Sequence, residues 1–82
     1  MNKVKILFFA TLKDRTGTRE SHLEISAGTT VSELKDLLLQ RFPELPKSKA
    51  SLLVAINKEY AFDQEEIPQG AEIALFPPVS GG

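Results

Sequence analysis

Few groups in these 82 residues could make or break a covalent bond. There is no cysteine and only one histidine, which excludes a thiolate nucleophile, a disulfide and a cysteine-based metal site, and leaves no metal site to expect. Glu65-Glu66 sets two carboxylates side by side, but in a turn region with no histidine nearby the pair reads as a solvated loop. His22, beside Ser21 in an alternating stretch, reads as an exposed strand residue. Lys3, Lys5 and Lys13 are scattered and read as solubilising edge charges. What remains is the backbone end. Gly81 and Gly82 carry no Cβ, so a terminus built from them is thin and flexible enough to enter a narrow channel and present the Gly82 carboxylate there. A free carboxylate is a poor electrophile, so any activation of it must come from outside the chain. Pro77-Pro78 stiffens the exit, and the run from Pro77 to Gly82 reaches on the order of 20 Å at about 3.1–3.4 Å per residue. Two glycines at a chain end are also common without a function, so their context decides.

The elements that would position such an end fit one compact domain, since two domains would need more residues than this. The chain is 41% hydrophobic and 26% charged, an ordinary globular balance. A formal net charge of -1 gives no electrostatic reason to expect nucleic acid or an anionic membrane. The apolar run Ile6 to Leu12 is too short and mixed for a signal peptide or membrane span, so a cytoplasmic protein is expected. A domain this small buries only about 60–65% of its unfolded surface, which makes a stabilising partner plausible.

Val4 to Ala10 reads as a first strand, Lys13 to Gly17 as a turn, and Ser21 to Ile25, with its period-two alternation, as the second strand of a hairpin. Thr30-Val31-Ser32-Glu33 matches a capping box and starts a helix. Val31, Leu34, Leu38 and Phe42, with Leu37 beside them, form its apolar stripe, Glu33, Lys35, Asp36 and Gln40 its other side, and Pro43 its end. Residues 43–51 read as an irregular crossover with room for one helical turn. Leu52 to Ile56, Glu59 to Phe62 and Glu72 to Phe76 read as strands, with a tight turn at Asn57-Lys58 and another at Ile67 to Gly70. The order β-β-α-β-β-β predicts an α+β fold of the ubiquitin-like, or β-grasp, type: a mixed sheet of about five strands on one main helix, over residues 1–76, with a tail over 77–82.

One helix can cover only one sheet face. Val4, Ile6, Phe8 and Ala10 share one side of the first strand, while Leu7 and Phe9 project from the other; on the last strand Ile73 and Leu75 are the inward set, leaving Ala74 and Phe76 outward. Phe9 and Phe76 are therefore expected on an exposed apolar face beside the tail, the kind of surface on which another protein sits. A loop folded over Phe9 is the alternative.

The ending Gly70-Ala71-Glu72-Ile73-Ala74-Leu75-Phe76-Pro77-Pro78-Val79-Ser80-Gly81-Gly82 closely resembles that of molybdopterin synthase small subunits, the sulfur-carrier family with a ubiquitin-like fold. Lys5 to Ala10, Thr30 to Leu34 and Val54 to Asn57 are similar to that family too; Gln69-Gly70-Ala71-Glu72 departs from the Asp-Gly-Asp-Glu that members often carry. The resemblance implies that Gly82 is adenylated by an ATP-dependent activating enzyme and converted to a thiocarboxylate. Inserted into a large synthase subunit, it would donate sulfur to a cyclic pterin precursor and so form the molybdopterin dithiolene of the molybdenum cofactor. It implies that Phe9, Tyr60 and Phe76 meet the large subunit, that Pro77, Pro78, Val79, Ser80 and Gly81 lead Gly82 into it, and that catalytic side chains lie on that subunit. It also implies a heterotetramer of two small and two large subunits, with no cofactor bound by this chain. Three rivals stay open: a ubiquitin-like modifier joined to lysines through Gly82, a thiamin or tRNA sulfur carrier, and a plain interaction domain.

Overall fold

The computed structural model describes residues 2–46 and 51–78. Among these residues five strands and two α-helices follow in the order β1 (Asn2–Phe8), α1 (Thr11–Thr16), β2 (Glu20–Ile25), α2 (Val31–Arg41), β3 (Leu53–Ile56), β4 (Glu59–Tyr60) and β5 (Glu72–Phe76). They form one mixed sheet in the order β2-β1-β5-β3-β4, with β1 and β5 parallel and the other neighbours antiparallel. This is the β-grasp arrangement that the element order predicted.

The period-two alternation of the strands decides the core. Val4, Ile6 and Phe8 of β1 and Ile73 and Leu75 of β5 face inward and are almost completely buried. Beneath them lie Val31, Leu34 and Leu38 of α2, each with no exposed surface. Phe42, at the end of that helix, meets Phe8 edge-on at 5.0 Å between ring centroids. The capping box forms as expected: the Thr30 hydroxyl accepts the Glu33 N–H at 3.2 Å, and the Glu33 carboxylate accepts the Thr30 N–H at 2.9 Å.

Four local expectations need correction. The stretch expected as a plain turn contains helix α1, whose single buried residue, Leu12, seals one end of the core; one apolar residue in six gives no periodicity to recognise. Ala10 has left the strand face and lies exposed at φ 53°, ψ −130°, because the chain must turn sharply between β1 and α1; the Leu12 N–H donates to the Phe9 carbonyl at 3.0 Å across that turn. Lys35 is not on the solvent side of α2: it is 6% exposed, with its ammonium 2.7 Å from the Asp63 carboxylate, so an ion pair lets the long stem pack in the core. Leu37, by contrast, is 42% exposed, in a groove with His22, Leu23 and Glu24.

The returning strand β4 is also shorter than expected. The Ala61 N–H still donates to the Val54 carbonyl at 3.0 Å, but Phe62 turns away into the loop that crosses the start of α2. In that loop the Glu65 carbonyl accepts the Val31 N–H, and Glu66 bridges Thr30, so Glu65-Glu66 fastens the loop to the helix start through its backbone while both side chains remain exposed. Of the expected crossover, residues 47–50 lie outside the described residues.

Candidate functional site: the outer sheet face at the tail exit

The outward residues of the sheet gather into one aromatic surface. Parallel pairing of Phe8 with Leu75 puts the next residues, Phe9 and Phe76, side by side, and the Phe9 N–H donates to the Leu75 carbonyl at 3.1 Å, fixing the register past the end of β1. The two rings stack with centroids 4.7 Å apart and planes 14° from parallel. Tyr60 joins from β4, its ring 6.1 Å from that of Phe76 and tilted by 54°. Antiparallel pairing of Ala55 with both Tyr60 and Ala74 brings β4 to this place, and the small side chains of Ala55 and Ala74 leave room between the rings.

Exposure separates these rings from the core. Phe9 is 41% and Tyr60 74% exposed, whereas Phe76, expected to be exposed, is half-buried, with Phe9 stacked against it. Together with Leu7, Lys58 and Glu72 they line a concavity of about 320 Å³. Stacking is worth about 0.5–1.5 kcal/mol, which orders the rings but does not offset the water that still meets them. A contiguous aromatic surface with small residues between its rings is suited to receive a partner's apolar side chains. Among the described residues no loop covers Phe9.

The tail leaves from the same strand. Phe76 is followed by half-buried Pro77 and exposed Pro78, which end the sheet since proline cannot donate to a ladder. Val79, Ser80, Gly81 and Gly82 lie outside the described residues. Phe9, Tyr60, Phe76, Pro77 and Pro78 are thus at one end of the outer face, and Tyr60, which nothing in the strand pattern singled out, is part of the cluster.

Two residues escaped the sequence reading. Lys58 occupies the second position of the β3–β4 turn and lines the aromatic concavity. Phe62 is 73% exposed and borders a second hollow with Lys35, Leu52, Tyr60 and Asp63; its two-residue spacing from Tyr60 was the available signal. Among the described residues there is no group of three or more histidine, cysteine or acidic residues able to hold a metal, and no helix is long and apolar enough to cross a membrane.

A ubiquitin-like β-grasp domain with an aromatic outer face beside its tail exit is the class that this fold and site define. The chain belongs to the ThiS family, which it matches over residues 6–82. It is 38% identical over 84 residues to the molybdopterin synthase sulfur carrier subunit of Caenorhabditis briggsae, with all of both chains covered. Among solved structures it is similar to SAMP1, a small archaeal modifier protein from Haloferax volcanii, at 31% identity and a TM-score of 0.83, covering 98% of this chain and 99% of that one. It is also similar to a putative molybdopterin converting factor subunit 1 from Pyrococcus furiosus, at 26% identity and a TM-score of 0.86, covering 96% and 100%.

Proposed function

We propose that this protein is the sulfur-carrier subunit of a molybdopterin synthase, working through a thiocarboxylate at Gly82. The observation that carries the reading is the full-length likeness to a sulfur carrier subunit, joined to an aromatic docking face on the strand that feeds the tail. In this reading an ATP-dependent activating enzyme adenylates the Gly82 carboxylate, and sulfur displaces AMP to leave the thiocarboxylate. The large synthase subunit then binds the Phe9–Phe76–Tyr60 face and receives the tail. There the terminal sulfur attacks a cyclic pterin precursor on the way to the dithiolene. General acids and bases belong to the large subunit, since no suitable cluster exists among the described side chains here. In this reading the protein works in the cytoplasm.

The test is reconstitution. Chain bearing the Gly82 thiocarboxylate, mixed with the large subunit and precursor, is expected to yield dithiolene and return as carboxylate; chain lacking Gly82 is expected to yield none. Dithiolene formed at the same rate without Gly82 would refute the reading. A second reading, a protein modifier joined to lysines through Gly82, is favoured specifically by the likeness to SAMP1. Branched peptides ending in Gly82 on cellular proteins would establish it.

A further inference from the structure

The described non-glycine residues with positive φ are Ala10, Asn57 and Lys58, and all lie next to the aromatic surface: Ala10 follows Phe9, while Asn57 and Lys58 form the turn two residues before Tyr60. Asn57 has a structural reason to be there. Its backbone N–H donates to the Glu72 carbonyl at 2.8 Å, its side-chain oxygen accepts the Glu72 N–H at 2.9 Å, and asparagine tolerates a φ of 50°. Lys58 has none of these. At φ 74° it fills the second position of a two-residue hairpin turn where glycine is the unstrained choice, and neither an ion pair nor a hydrogen bond holds its ammonium among the described residues. Glu59 follows it and Glu72 shares its concavity, yet neither forms an ion pair with it. It lines the same concavity as Tyr60 and Phe76.

Backbone strain kept at the rim of a binding surface points to a use for the side chain that causes it. We infer that Lys58 is a specificity residue of the docking face: its ammonium pairs with a carboxylate that the large subunit presents at the edge of the aromatic contact. The inference rests on the carrier reading. A charge at the rim adjusts encounter rate and partner choice more than total affinity, while the rings supply the apolar contact. The residue therefore trades stability of the free domain for recognition.

The opposed signs make this testable. Full-length wild type, Lys58→Gly, Lys58→Arg and Ala10→Gly chains are compared for thermal stability and for binding to the large subunit of the same organism's synthase, at several salt concentrations. Lys58→Gly is expected to raise Tm by about 2–6 °C, because it relieves strain, and to weaken binding roughly three- to tenfold at low salt, with a flatter salt dependence. Lys58→Arg is expected to keep wild-type affinity and salt dependence, since it keeps the charge. Ala10→Gly is expected to gain stability without changing the salt dependence, which separates relief of strain from loss of charge. Lys58→Gly binding with wild-type affinity and salt dependence would overturn the inference and leave the carrier reading standing. Failure of wild type itself to bind the large subunit would overturn both.

Discussion

The two faces of this sheet are built from alternate residues of the same strands, and both are apolar near the tail, yet only one is a core. Ile6, Phe8, Ile73 and Leu75 retain 3% exposure or less, while Phe9, one residue beyond Phe8, retains 41%. Residue type does not explain the difference, since Phe8 and Phe9 are identical. The supply of covering elements does: α2 closes the inner face, α1 seals one end through Leu12, and among the described residues no element remains for the outer face. Inner residues hold the domain together, and outer residues are available to hold something else.

The largest expected contrast sets the tail against the fold. Removing Gly82 should abolish sulfur transfer and leave the thermal unfolding curve unchanged, as a paired activity and melting experiment would record. Core truncation should do the reverse. Leu34→Ala deletes a fully buried side chain beneath the sheet and should cost about 2–5 kcal/mol of unfolding free energy in urea titration. On the outer face, Phe76→Asp should cost little stability and weaken large-subunit binding on the order of ten- to a hundredfold by calorimetry. If Phe76→Asp unfolded the domain as Leu34→Ala is expected to, the two faces would not differ in kind. Asp63→Ala withdraws the carboxylate 2.7 Å from the buried Lys35 ammonium and should cost about 1–3 kcal/mol. Thr30→Ala removes the hydroxyl half of the capping box, and about 1 kcal/mol with it.

The same contrast marks what could be read in advance. Strand alternation and a single capped amphipathic helix were legible, and from them followed the inner set and the outward placing of Phe9 and Phe76. Lys35 was misplaced because helical spacing treats a lysine as solvent-facing, whereas its pairing partner, Asp63, lies 28 residues further on. Helix α1 was missed because six residues with one buried leucine carry no pattern. Tyr60 joined the aromatic surface only through strand pairing, which local sequence does not encode, and the likeness to sulfur carriers had to stand in for it. Lys58 stayed silent because a lysine at a turn looks like any solvated charge until its φ is known.

The central claim is that the carboxyl end of this chain carries sulfur, and intact-mass spectrometry of the untagged protein from its own cells tests it most directly. The expected result is a population heavier by one oxygen-to-sulfur exchange, with fragmentation placing the change at Gly82. An unmodified carboxylate at Gly82 in every molecule, with the activating enzyme and a sulfur donor abundant, would contradict it.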